Sequence, residues 1–148
     1  MSQLQRALTD LFGFAAFRPG QEQVVRAAVE GRDTLALMPT GSGKSLTYQL
    51  AAMLRPTPTL VLSPLIALMK DQLDKLPGPV ADQSTLINSS LEPDEAARRL
   101  RDASQGRYRL LYVAPERLRQ RSFLDAVHSI DIGPVSYTHL TLPTIYSV

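Results

Sequence analysis

Between Met38 and Ser45 the chain reads Met38-Pro39-Thr40-Gly41-Ser42-Gly43-Lys44-Ser45, two glycines one residue apart followed at once by a lysine and a hydroxyl. An apolar run, Thr34-Leu35-Ala36-Leu37-Met38, precedes it, and a helix-competent run from Leu46 to Leu54 follows. That succession constrains the fold more than any other stretch, because it asks for a strand, a tight loop and a helix in that order. The glycines let the backbone come close to a ligand and turn successive N–H groups inward, while the start of the helix adds the positive end of its dipole. The pattern implies a cradle for a polyphosphate, with Lys44 reaching the β- and γ-phosphates and the Ser45 hydroxyl placed to ligate Mg2+. The longer form of the pattern has glycine at position 38, where this chain has Met38, so the match is to the shorter T-G-x-G-K-S variant. An ordinary flexible turn would need the glycines but not the Lys-Ser pair.

A length of 148 residues suits one domain, and 44% hydrophobic residues support a core. No run approaches the roughly 20 apolar residues of a membrane span, and the N-terminus lacks the apolar centre of a secretory signal, so a cytoplasmic, membrane-free location is expected. The absence of cysteine excludes disulfides, thiolate zinc sites and cysteine nucleophiles. The two histidines, His128 and His139, are isolated and suggest no metal site. Of the 16 basic residues 13 are Arg, many of them between Arg98 and Arg121. Their planar forks suit phosphate, and they suit solvated helix faces equally well.

Periodicity orders the rest. Leu4, Leu8, Leu11 and Phe12 form one stripe of a helix that Gly13 should end. A second helix is expected with Pro19 in its first turn, Gly31 as its stop, and Val24, Val25, Ala28 and Val29 inward. After the loop and its helix come a strand at Thr59–Leu62, a helix over about 65–76 broken by Pro77-Gly78-Pro79, and a strand at Ser84–Ile87. A helix over Pro93–Ser104, with Glu92, Asp94 and Glu95 at its favourable end, leads to a strand over 109–113. Strands alternating with helices predict an α/β fold, a parallel sheet with helices on both faces, whose ligands bind beyond the carboxyl ends of the strands.

Taken together, four segments resemble the RecQ family of superfamily 2 DNA helicases over about residues 4–135. Phe12 to Gln21 is similar to the adenine-recognising motif 0, Met38 to Gln49 to motif I, Val61 to Gln72 to motif Ia, and Tyr112 to Leu118 to motif Ib. The resemblance implies an incomplete RecA-like P-loop NTPase domain from an ATP-dependent 3′–5′ DNA helicase of recombination and repair, using ATP and Mg2+. Gln21, whose amide complements the adenine edge, Arg18, which can lie on the base, and nearby Phe14 would hold the nucleoside. Phe17 fits a core role better. Thr40, Gly41, Ser42, Gly43, Lys44 and Ser45 would hold the phosphates and metal, with Lys44 the catalytic cation. The family lines its single-stranded DNA path with motifs Ia and Ib, which here points to Ser63, Pro64, Lys70, Asn88, Ala114 and Arg117. Lys70 and Arg117 are as readily a solvated helix face and a helix-start pair.

The family pattern breaks after Val135. Where it continues into a strand ending Asp-Glu-Ala-His, this chain runs Ser136 to Val148 with no acidic residue beyond Asp131. Residues 1–135 are therefore expected to be part of a first RecA-like domain, and 136–148 to be foreign to the family. The resemblance implies that the metal-holding Asp, the water-polarising Glu and the second RecA-like domain lie outside what is present. Single-stranded or forked DNA is the implied partner. The rivals are another P-loop enzyme, disfavoured by the upstream Gln21, and a catalytically silent nucleotide- or DNA-binding module.

Overall fold

The computed structural model describes residues 1–137 apart from 40, 42, 65, 130, 131, 133 and 134. Its centre is a set of short strands whose residues are apolar on both sides. Strand β1 (Thr59–Leu62) and strand β3 (Leu110–Val113) are buried at every position, and strand β2 (Ser84–Ile87) at all but one. A strand buried on two faces reads as an unbroken apolar run and belongs inside a parallel sheet covered by helices. The observed sheet has the order β2-β3-β1-β4, where β4 is Val135–Tyr137, and its pairs are parallel. Registers such as Leu60↔Leu111 and Val61↔Tyr112 align the strands without a bulge.

Alternation along those strands feeds two cores. Leu60, Leu62, Ile87, Leu111 and Val113 point to one side, where they meet Ala96, Leu100 and Ala103 of helix α6 (Pro93–Ser104) and Phe123 of helix α7 (Arg121–His128). Val61, Leu110 and Tyr112 point to the other, against Ala52 and Met53 of helix α3 (Lys44–Leu54), Met69 of helix α4 (Ile66–Asp74) and Val80 of the short helix α5 (Gly78–Ala81). Helices thus cover both faces, as the alternating pattern predicts. A 3₁₀ segment, Pro115–Arg119, follows β3.

A third cluster joins helix α1 (Gln3–Phe12) and helix α2 (Gln21–Val29) to α3 through Leu4, Leu8, Val25 and Leu50. Leu8, Val25 and Leu50 are wholly buried, each stabilising the cluster by about 1.5–3 kcal/mol through the area removed from water. Ser2 caps α1 through the Gln5 amide, and Gly13 ends it in the left-handed conformation with φ 74°.

Three expectations need correction. Residues Thr34–Met38 form no strand; Leu35 and Leu37 are 60% and 80% exposed. An apolar sequence suits a strand only when another strand offers its ladder, and among the described residues none pairs with this run. Pro19 stands outside α2, because Gly20, with φ 86°, takes the cap position and the helix starts at Gln21. Pro77-Gly78-Pro79 ends α4 but begins α5, with Pro77 as its cap and Pro79 in its first turn, where a missing N–H costs nothing. The expected tail of 136–148 lies outside the described residues from position 138 on, while Val135–Tyr137 form β4.

Candidate functional site

Packing of α2 along α3 builds the site. At one end Arg55 Nη1 donates to the Val29 carbonyl at 3.0 Å, just past the last turn of α3. At the other end the start of α2 meets the glycine loop. Gln21 Nε2 donates to the Gly43 carbonyl at 3.1 Å, Arg18 Nη1 donates to the Gly41 carbonyl at 2.8 Å, and Gln21 Oε1 accepts from the Arg18 backbone N–H at 2.8 Å. Gln21 is 2% exposed, so its amide is held in one orientation, whereas Arg18 is exposed. Phe14 is 52% exposed beside them in sequence, and Phe17 packs against the α1–α3 cluster as a core residue.

Both loop glycines need to be glycine. Gly41 and Gly43 have φ of 80° and 82°, in the left-handed region that a side chain disfavours. A Cβ on Gly43 would also overlap the Gln21 amide. Gly43 is the N-cap of α3 and offers no side-chain cap, leaving the first amides of the helix free for an anion. Lys44 is exposed at the first helical position. Ser45 is half-buried and its hydroxyl accepts from Gln72 Nε2 at 2.8 Å. Thr40 and Ser42 lie outside the described residues.

A hydroxyl at the start of a helix whose amides are free matches what Mg2+ takes from a protein when phosphates and water supply its remaining oxygens. Ser45 therefore fits such a cation as one ligand. Among the described residues there is no group of three or more His, Cys, Asp and Glu side chains arranged to hold a metal.

The candidate DNA residues fall into two groups. Ser63, Asn88 and Ala114 each follow the last residue of a strand, at aligned positions given by Leu62↔Val113 and Ile87↔Val113, so the fold brings them to one edge of the sheet. Pro64 and Lys70 are exposed near that edge, and Asn88 is half-buried, its Oδ1 accepting from the Ser90 N–H and hydroxyl at 3.1 and 2.7 Å. Ser63 and Ala114 are buried at 2% and 0% exposure, and their amides donate to Val113 and Ile87 carbonyls. Arg117, expected as a DNA-contacting charge or as one of a helix-start pair, lies in the 3₁₀ segment with its side chain turned inward. It is 2% exposed; Nε donates to the Asn88 carbonyl at 2.8 Å, Nη2 to the Leu91 carbonyl and Nη1 to Gln120 Oε1 at 3.0 Å.

Sequence reasoning missed a polar cluster under the loop. Gln72 Oε1 accepts from the Tyr48 hydroxyl and, at 3.4 Å, from the Tyr112 hydroxyl; Gln49 Nε2 donates to Tyr112 at 3.1 Å. The two rings meet edge to face with centroids 6.2 Å apart. Burial pushes both phenols above their ordinary range. The sequence signal was slight: Gln49 stands in the apolar run of α3, and Gln72 beside Lys70 and Asp71 on α4.

The DEAD/DEAH box helicase family model matches residues 18–135. The chain is 43% identical over 121 residues to ATP-dependent DNA helicase Q-like 5 of Arabidopsis thaliana, covering 82% of this chain and 13% of that protein. It is 40% identical over 133 residues to ATP-dependent DNA helicase RecQ of Bacillus subtilis, covering 89% of this chain and 22% of the relative. Against RecQ of Pasteurella multocida it is 44% identical over 128 residues, 85% of this chain and 20% of the relative. The chain thus spans about a fifth or less of the length of these relatives. A buried glutamine amide clasped to a glycine loop, beside a parallel sheet covered on both faces, agrees with these matches: the chain belongs to the DEAD/DEAH box helicase family, with RecQ-type DNA helicases as its relatives.

Proposed function

We propose that this chain is the nucleotide-binding part of an ATP-dependent DNA helicase with 3′–5′ polarity, acting on single-stranded or forked DNA in recombination and repair within the cytoplasm. The observation that carries the proposal is the clasp between Gln21 and Gly43, residues 22 apart in sequence, which puts a base-reading amide and a phosphate loop within one hydrogen bond of each other. Gln21 presents one donor and one acceptor, the complement of the adenine N6 and N7 edge, and so favours ATP over GTP. In this structure both atoms are engaged by the protein itself, by Gly43 and by Arg18. A nucleotide base therefore exchanges hydrogen bonds rather than adding them, and the exposed Arg18 reaches its face by giving up the bond to the Gly41 carbonyl. Lys44 supplies a mobile point charge for the outer phosphates, and the amides at the start of α3 receive their oxygens. Mg2+, held in part by Ser45, would offset phosphate charge when bound.

Pro64, Lys70 and the Asn88–Ser90 turn form the accessible part of the proposed DNA edge. No helix among the described residues is long and apolar enough to cross a membrane. Hydrolysis needs a group that orients the attacking water, and an arginine finger adds roughly 10³–10⁵ in rate. The second reading is a module that binds nucleotide or single-stranded DNA without turnover, and its ground is that the sequence holds no Asp or Glu side chain after Asp131; the relatives, named as DNA helicases, support the first. We also propose that residues 136–148 are foreign to the family, supported by the family match ending at Val135; genomic DNA that encodes them in an unbroken native frame would refute this.

Equilibrium binding of a fluorescent ATP analogue with Mg2+ tests the main proposal. Lys44→Ala and Gln21→Ala should each weaken binding at least tenfold, and unlabelled ATP should compete better than GTP for the parent chain but not for Gln21→Ala. Equal competition by both nucleotides in the parent chain would sink the assignment of Gln21, and steady hydrolysis would sink the silent reading.

A further inference from the structure

Gln72 belongs to the segment following β1, 27 residues from Ser45, yet its amide donates to the Ser45 hydroxyl at 2.8 Å. The orientation of that amide is set from behind. Gln49 Nε2 donates to the Tyr112 hydroxyl at 3.1 Å, which turns the Tyr112 proton toward Gln72 Oε1 at 3.4 Å, and the Tyr48 hydroxyl donates to the same oxygen. With Oε1 claimed by two phenols, Nε2 is left facing Ser45. Tyr112 is 1% exposed and Gln49 8%, so the rear of the cluster is rigid, while Ser45, Tyr48 and Gln72 are half-buried and open toward the loop.

A serine hydroxyl has two lone pairs and one proton. In this arrangement one lone pair is already taken by an N–H, and the positive end of that dipole lies where a dication would be repelled. Resting on the proposal that Ser45 serves a metal–nucleotide complex, we propose that Gln72 is a positioning residue for the metal site: it holds the Ser45 hydroxyl in the metal-free state and yields it as the cation arrives.

Two consequences follow from where Gln72 sits. It lies on α4, two residues beyond Lys70, and its partner Tyr112 lies on β3, two residues before Ala114. Metal loading and the placement of the sheet edge are then one linked equilibrium. Because linkage is reciprocal, anything that draws α4 away from Ser45 tightens the metal, and the metal in turn loosens the hold on α4. The link needs no change in the strand ladder, only the exchange of one side-chain hydrogen bond.

The test is a Mg2+ titration of fluorescent ATP-analogue binding to the parent chain and to Gln72→Met, which keeps length and helix preference but has no amide. Losing one neutral competing hydrogen bond should lower the Mg2+ concentration at half-effect by roughly two- to tenfold, with binding in excess chelator unchanged. A midpoint that is unchanged or raised overturns the inference while nucleotide binding by the parent chain still stands. Failure of the parent chain to bind the analogue takes down the nucleotide-binding proposal and this one with it. A second measurement needs no substitution. In the parent chain the side-chain NH₂ resonance of Gln72 should move when Mg2+ is added to the nucleotide-bound protein and stay still when nucleotide is added in chelator. A resonance indifferent to Mg2+ overturns the inference.

Discussion

Replacing Arg117 by methionine should unfold the chain more easily without touching its affinity for nucleic acid. The guanidinium is 2% exposed and spans three neutral acceptors: the Asn88 and Leu91 carbonyls and Gln120 Oε1. It ties the turn after β2 to the 3₁₀ segment after β3, two loops that have no ladder between them. A hydrogen bond from a charged donor contributes about 1.5–3 kcal/mol, and an acceptor left dry costs about 1–3 kcal/mol. Asn88 and Leu91 are only half-buried, so water recovers part of the loss, and Gln120 is exposed. A net cost of about 2–4 kcal/mol is therefore expected for Arg117→Met, a large share of the roughly 5–15 kcal/mol of a small domain. Arg117→Lys should cost about half as much, since a single ammonium reaches one carbonyl but not the fork of three. Urea unfolding followed by far-UV circular dichroism gives the midpoint, and an unchanged m-value would show that the same surface is exposed. In parallel, the dependence of single-stranded DNA binding on salt should keep its slope in Arg117→Met, whereas Lys70→Ala should lose about 0.7 of a unit of slope for one phosphate contact. A methionine variant as stable as the parent, with a reduced slope, would refute a structural role and return Arg117 to the surface.

Gly43→Ala should lose nucleotide binding and about 1–3 kcal/mol of stability, because a side chain at φ 82° is strained and its Cβ overlaps the Gln21 amide; binding within twofold of the parent would refute the geometry of the clasp. Burial raises the Tyr48 and Tyr112 phenols, so the folded chain keeps them protonated where the unfolded chain ionises near pH 10. Their contribution is thus complete below about pH 10 and is lost as pH rises through the raised values; absorbance at 295 nm should show these two phenols ionising only together with unfolding. Leu37→Lys should alter the free energy of urea unfolding by no more than about 0.5 kcal/mol, since the side chain is 80% exposed, and a loss above about 2 kcal/mol would show that the run packs after all.

Strand and helix positions were legible wherever local pattern and long-range pairing agreed. Thr59–Leu62, Ser84–Ile87 and the helix Pro93–Ser104 coincide with expectation, because their apolar residues both favour the element and find a core. The run Thr34–Met38 shows the converse: composition can ask for a strand but cannot supply its neighbour. Gln21 and Gly43 were legible as residue types with chemical roles, though not their mutual hydrogen bond, which depends on α2 lying along α3. Arg117 was misread because an arginine beside a glutamate after a strand looks alike whether the chain turns it outward or folds a loop over it. The Gln72 cluster was illegible for a related reason. Its members come from α3, α4 and β3, and only the crossing of those elements makes them neighbours.

The strand order has a consequence for how the chain comes off a ribosome. β1 is flanked by β3 and β4, so Thr59 must wait for Leu110, and Leu60 for Val135, before its ladder can close. At synthesis rates of about 5–20 residues per second, this wholly buried strand stays unpaired for several seconds after it emerges. During that interval the α1–α3 cluster, whose members all precede residue 55, can already assemble, and β1 is the natural target for a holding chaperone.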